Sequence, residues 1–364
     1  MAKRGFGFSA KDNGCSSVTE EVAVLAREDG HQVFTALEGL AMVRYENLGF
    51  PIGTPPNWRG MMNFNSPTDD DKKLPPFDAA AFLNKTQPDI IVTGLGSPIN
   101  IQRQIAEEAT RRGIPLVVCE DFWSKIPGHL DAAKVKPALI LTVDDYSIAL
   151  NRKAFPGVGQ RVVGNPGAKE VPVPSEVEAQ VKKIRDEGFD TIYVFAGGGA
   201  SATNELALLL QCLEKTPGNY CIVPRFHPKV MTWKVPGENR TYGELWTEYL
   251  KPFAERVRYV EAKSTDPVAV SESADVLVSG FSTLMTTAAY HGKRVICLKT
   301  EETMASLKAH GEHYTEIPQV ALGLASVVDE PTDLSLLGKP SADALRKLIP
   351  YDANLAWEHI QTLL

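Results

Sequence analysis

The sequence has no apolar run approaching the about 18–20 residues that span a bilayer, and its first residues, Met1 to Phe8, lack the long apolar stretch of a secretory leader. A cytoplasmic location is therefore the default expectation. Cysteine is scarce. Cys15, Cys119, Cys212, Cys221 and Cys297 are scattered and odd in number, and no two stand in the Cys-x-x-Cys spacing of a zinc or redox site, so reduced and mostly buried thiols are expected. Long polar or low-complexity tracts are also missing, which excludes extended disorder. Positive charge is not in excess: the formal net charge is −7 and the pI about 5.6, a balance that disfavours broad attraction to nucleic acid or anionic membrane. A local basic patch stays open. The balance suits an enzyme that takes small substrates into a cleft.

What is present is enough for two domains, since the chain has 364 residues and a domain runs to about 100–200. From Asp89 the pattern alternates. Ile90 to Gly94 is a short apolar run, Ile101 to Arg112 a polar helix with alanines on one side, and Ile114 to Val118 apolar again. Ala138 to Val143 adds a strand, and Arg161 to Gly167 closes the half. Near the start, Gly5 to Gly14 and the helix Ser17 to Glu28 precede Gly30 to Phe34, as a first strand, glycine loop, helix and second strand would. Apolar runs alternating with amphipathic helices indicate a parallel sheet buried on both faces. The proline-rich stretch Val171 to Ser175 places a linker near residues 165–175, after which the rhythm restarts. Strands are expected at Thr191 to Ala196, Tyr220 to Pro224, Val257 to Val260, Ala274 to Ser279 and Arg294 to Leu298, with helices at Glu205 to Glu214, Val268 to Ser273 and Leu284 to His291. The expectation is an α/β chain of two Rossmann-like doubly wound domains facing a cleft: residues 1–168, residues 169–345, and a C-terminal helix in 346–364 that packs back on the first domain. Residues from Gly49 to Pro76, with several prolines, Trp58, Phe64 and Asp69-Asp70-Asp71, fit the rhythm poorly and read as a long loop or excursion.

The clearest chemical signal is Gly197-Gly198-Gly199, between a buried strand and a helix beginning near Asn204. Free amides and the dipole at a helix N-terminus attract phosphate, and glycine lets the backbone approach it; a tight turn requiring positive φ explains the same triplet equally well. Arg225 and His227 emerge just past the next strand, where Arg225 can grip a phosphate with paired hydrogen bonds and His227 can donate one. Ser282 and Thr283 follow a further strand and open a helix, as caps or as phosphate ligands. All three features fall at strand ends of one sheet, the edge at which open α/β sheets bind ligands. In the first half, Asp12 follows the first strand, and Glu120 and Asp121 follow another; each is a candidate base for an acceptor hydroxyl, with Asp12 equally a turn former. Trp123 is a candidate to stack on a sugar or base. Asp69-Asp70-Asp71 sits in a polar loop and no His/Cys cluster appears, so no metal site is expected.

The stretch Ala274-Asp275-Val276-Leu277-Val278-Ser279-Gly280-Phe281-Ser282-Thr283, followed by Gly292-Lys293-Arg294-Val295-Ile296, resembles the donor-site signature of GT-B glycosyltransferases, and is similar to that of the non-hydrolysing UDP-N-acetylglucosamine 2-epimerases and the CDP-glycerol glycerophosphotransferases. Arg225-Phe226-His227-Pro228 is similar to the His-Pro motif of the latter two groups. The resemblance implies a GT-B fold in which the glycine loop, Arg225, His227, Ser282 and Thr283 face the pyrophosphate of a nucleotide-sugar such as a UDP-sugar, and the first half holds the acceptor. Many such proteins carry a ribose-binding Glu in the helix after the Ser-Thr turn; here Met285-Thr286-Thr287-Ala288-Ala289 stands instead, so Thr286 or Thr287 takes the ribose, or the donor differs. The implied activity is a metal-independent glycosyltransferase that uses no cofactor. Alternatives are a nucleotide-sugar 2-epimerase using Asp12, Glu120, Asp121 and His227, or a non-catalytic nucleotide-sugar binder. A nucleic-acid base as acceptor is disfavoured by the acidic balance.

Overall fold

The computed structural model describes residues 2–54, 77–96, 101–123, 126–260, 267–272, 274–309 and 314–364. Most of the expected excursion, with Trp58, Phe64 and Asp69 to Asp71, lies outside the described residues. The chain divides into two units, Met1–Pro166 with Ile349–Leu364, and Gly167–Leu348.

The first unit is built on six parallel strands, β1 (Gly5–Ala10), β2 (Gln32–Leu37), β3 (Ile90–Gly94), β4 (Leu116–Cys119), β5 (Leu139–Thr142) and β6 (Gly159–Val162), in the order β2-β1-β3-β4-β5-β6. Every residue of β1, β3, β4 and β5 is buried, as strands covered on both faces require. The core runs from Phe6 and Phe8 through Ile91, Val117 and Ile140 and takes in Ala356, Trp357 and Ile360 from the helix Ala353–Gln361. That helix packs on the helix Glu20–Glu28. Trp357 meets Phe6 edge-on at 5.1 Å and donates its indole N–H to Asp29 at 2.7 Å, so its apolar body is buried and its polar atom paired.

The helix expected over Ser17 to Glu28 is instead two, Asn13–Ser17 and Glu20–Glu28. The break sits at Val18 and Thr19, where the Thr19 hydroxyl bonds back to the carbonyls of Cys15 and Ser16 at 3.0 and 3.3 Å. Such side-chain bonds compete with the helical ladder.

The second unit has five parallel strands, β7 (Thr191–Gly197), β8 (Tyr220–Phe226), β9 (Val276–Ser279), β10 (Arg294–Leu298) and β11 (Ser326–Val328), in the order β11-β10-β9-β7-β8. Its core stacks Phe226 on Trp246 at 4.4 Å, with Phe195 edge-on to Phe226 at 5.7 Å. The strand expected over Val257 to Val260 does not form; Val257 makes one isolated bridge to Ile222. The guanidinium of Arg258 takes the carbonyls of Glu255 and Val257 at 3.0 and 2.8 Å, groups a further strand would offer its neighbour. No helix among the described residues is long and apolar enough to cross a membrane.

Candidate phosphate site and a carboxylate crevice

In the second sheet the chain leaves β7 towards β8 and later returns to β9 on the other side of β7. The loops after β7 and β9 therefore diverge, and such a switch point opens a crevice at the carboxyl ends of the strands. Gly197 to Ser201 follow β7, and Gly280 to Thr283 follow β9. At the end of β8, the backbone N–H of His227 donates to the Gly197 carbonyl at 2.8 Å, joining that loop to the glycine loop. Arg225 is half-buried and His227 exposed.

The glycine triplet is not a turn demanding positive φ, since none of Gly197, Gly198 and Gly199 has it. Gly197 serves packing: a Cβ there would lie 2.9 Å from Ala202 Cβ and 3.1 Å from the rings of Phe195 and Phe226. Among the described residues beyond its chain neighbours, no atom lies within 4 Å of such a Cβ at Gly198, and at Gly199 the Ser201 hydroxyl alone does, at 3.9 Å. These two leave a bare, accessible backbone. The N–H groups of Gly198, Gly199, Ala200 and Ser201 donate to no atom among the described residues. They precede the helix Ala202–Lys215, whose first turn is held from behind by the Trp246 indole N–H donating to the Thr203 hydroxyl at 2.9 Å. Unpaired amides at a helix start are donors aimed at an anion.

Across the crevice, Ser282 caps the helix Thr283–Tyr290, its hydroxyl accepting from Leu284 N–H at 3.2 Å. Thr283 is exposed. Thr286 is 1% exposed and its hydroxyl has no partner among the described residues; Thr287 is also buried. The side chain that ties the two loops together is Glu205, 3% exposed, which accepts from Gly280 N–H at 3.1 Å and from the Thr303 hydroxyl at 2.9 Å. Nothing in the sequence marks it, because an acidic residue in the first turn of a helix is what the helix dipole favours anyway.

The first sheet has its own switch point, between β1 and β3. Asp12 caps the helix Asn13–Ser17 by accepting from Cys15 N–H at 3.0 Å. Asp121, after β4, closes on the same turn: a Cβ on Gly14 would lie 1.9 Å from an Asp121 carboxylate oxygen and 3.6 Å from one of Asp12. Two candidate carboxylates thus flank Gly14. Burial, then the charges of Asp12 and Asp121, push the Cys15 thiol well up, so it stays protonated and unreactive. Lys11 pairs with the buried Glu38 at 3.5 Å, and Glu38 caps the helix Ile101–Arg112 by accepting from Ile101 N–H at 2.7 Å.

Glu120 faces the interior instead. It is 1% exposed and accepts from the Ser147 hydroxyl at 2.5 Å and the Asn151 amide at 2.8 Å. Burial pushes its carboxyl up to about 8, against the pull of those two donors. Trp123 is likewise inside, 0% exposed, with its indole N–H on Asp144 at 2.5 Å. The expectation that it stacks on a sugar or base is corrected: its faces belong to the core. Among the described residues no three His, Cys, Asp or Glu side chains are grouped to hold a metal ion.

No protein-family model matches the chain, and no curated protein sequence is similar to it. Solved structures are similar along its whole length. Anabaena HepE in complex with UDP and glucose superposes with a TM-score of 0.60 at 13% identity, covering 99% of both chains. Acinetobacter baumannii MurG gives 0.57 at 14%, covering 99% of this chain and 100% of its own. The UDP-N-acetylglucosamine 2-epimerase from Neisseria meningitidis bound to UDP-GlcNAc gives 0.57 at 14%, covering 100% and 99%. The fold is GT-B. At these identities the likeness shows the fold alone; within that GT-B fold, the two crevices differ in what they present, amides in one and carboxylates in the other.

Proposed function

We propose that the second unit binds the pyrophosphate of a nucleotide-sugar, UDP-linked in the first instance, and that the protein is a glycosyltransferase. The observation that carries this reading is the row of unpaired amides from Gly198 to Ser201, over a backbone that an approaching phosphate can reach. Arg225 near the end of β8 and His227 just past it supply cationic and donor groups, and the similar structures that contain UDP or a UDP-sugar support the nucleotide. In the transfer, the bond between the sugar C1 and the phosphate oxygen breaks as an acceptor oxygen bonds to C1. The nucleoside diphosphate leaves with its new charge on the amides and Arg225. The acceptor's proton needs a carboxylate base, for which Asp12 and Asp121 are the candidates; Glu120, buried on Ser147 and Asn151, is the least suited of the three. Amides and side chains take the role of a divalent cation, and turnover is expected to survive EDTA.

The test is a thermal-shift screen against UDP, GDP, ADP, CDP, dTDP and their sugar conjugates, because a ligand that binds the native state stabilises it, by about 2.7 kcal/mol at a hundredfold excess over Kd. UDP and a UDP-sugar should raise Tm selectively, and Arg225→Ala should weaken that binding by about tenfold or more. No shift with any nucleotide sinks the reading. The pairing of Asp12 and Asp121 around Gly14 favours a second reading, an epimerase, which needs more than one acid or base at a sugar carbon. Deuterium from D2O entering the sugar of UDP-GlcNAc without any acceptor would select the epimerase.

A further inference from the structure

Glu205 is buried, and no described residue forms a salt bridge with it. Its carboxylate meets two donors, the N–H of Gly280 after β9 and the hydroxyl of Thr303 in the helix after β10, while its own backbone N–H donates to the carbonyl of Ser201 at the end of the glycine loop at 3.1 Å. Burial raises its pKa and hydrogen bonding pulls it back, so the group is held by the segments it joins. Gly280 is shaped around it: its φ is not positive, yet a Cβ there would lie 2.1 Å from the Glu205 carboxylate oxygen and 2.8 Å from Thr303 Cγ2. The Gly280 carbonyl is gripped in turn by the Cys297 thiol at 3.0 Å, and the Ser282 carbonyl by the Gln319 amide at 3.0 Å. A leucine at 205 would fill the same volume but leave a buried N–H unpaired, at a cost of about 1–3 kcal/mol.

We infer that Glu205 is the positioning residue of the phosphate site, fixing the spacing between the amides of the glycine loop and the turn that carries Ser282. The inference rests on the nucleotide reading for what the site holds, but not for how it is held. Glutamine at 205 retains both functions needed: its carbonyl accepts from Gly280 N–H and its amide donates to Thr303, whose hydroxyl also reaches the Leu298 carbonyl at 3.2 Å. Alanine retains neither.

The experiment is amide hydrogen exchange on the full chain without ligand, followed by UDP titration of the same proteins. In Glu205→Ala, exchange at residues 202–205 and 280–285 should accelerate together by about tenfold or more, while the start of β8 stays as in the wild type. Glu205→Gln should restore both segments, and should bind UDP within about threefold of wild type while the alanine variant loses about tenfold. If Glu205→Ala does not fold, Thr303→Val removes one of the two bonds and should move the same two segments in the same direction by a smaller factor. Unchanged exchange in these variants overturns the inference, as does a glutamine variant as perturbed as the alanine one. Coupled exchange with no UDP binding by the wild type leaves the positioning role standing and refutes the donor assignment instead.

Discussion

The two sheets share a topology and place glycine-rich loops at their switch points, yet they use the glycines in opposite ways. In the first unit the missing side chains are replaced by protein: Gly14 by Asp121, Gly94 by Cys15 at 2.6 Å, and Gly96 by Lys11 at 2.7 Å. The loops after β1, β3 and β4 interlock, and what remains in the turn is a pair of carboxylates. In the second unit Gly198 and Gly199 leave the backbone open, and their N–H groups have no partner among the described residues. The same residue type serves close packing in one place and exposure of donors in the other, which is why a glycine count alone says little about ligand binding.

That contrast can be broken by adding single methyl groups. The largest effect on stability is expected from Gly14→Ala, where the new methyl would overlap Asp121; overpacking of this kind costs about 1–3 kcal/mol, visible as an earlier unfolding transition of the first unit in urea. Next comes a pH effect. Glu120 has a folded pKa pushed up to about 8, above its unfolded value, so its contribution to stability is fully present below about pH 4.5 and is lost as pH rises through 8. Between about pH 5 and 8, wild type should lose up to about 1.4 kcal/mol per pH unit relative to Glu120→Gln, which cannot ionise; parallel stability curves for the two proteins would refute the shift. The smallest change in stability belongs to Gly198→Ala, within about 0.5 kcal/mol by thermal denaturation, because the methyl meets no atom. Its effect should fall on UDP affinity instead, lowered about tenfold in a titration; unchanged affinity would take the glycine loop out of the phosphate site.

Much of the architecture was legible because buried parallel strands are written as uninterrupted apolar runs: β3, β4, β5, β7, β8, β9 and β10 all coincide with such runs. The short β11, Ser326–Val328, carries too few residues to stand out, and Val257 to Val260 has the composition of a strand but makes a single isolated bridge, with the Val257 carbonyl taken by Arg258. Among site residues, spacing identified which loops follow which strands, and so placed Gly197 to Gly199, Ser282 and Asp12 at strand ends; the switch points follow from the strand orders. It did not identify orientation. Nothing local distinguishes Glu120, turned inward onto Ser147 and Asn151, from Asp121, turned onto Gly14, and nothing local marks Trp123 as a core residue. Glu205 was illegible for the same reason: its partners lie 75 and 98 residues away.

The return of residues 349–364 to the first unit sets an order of assembly on the ribosome. Trp357 and Ile360 are core residues of that unit, packed with Phe6 and its neighbours, but they are translated after the whole of Gly167–Leu348. Nascent chains fold as their domains become complete. The second unit can therefore close while the first, although begun earlier, still waits for the tryptophan that seals it.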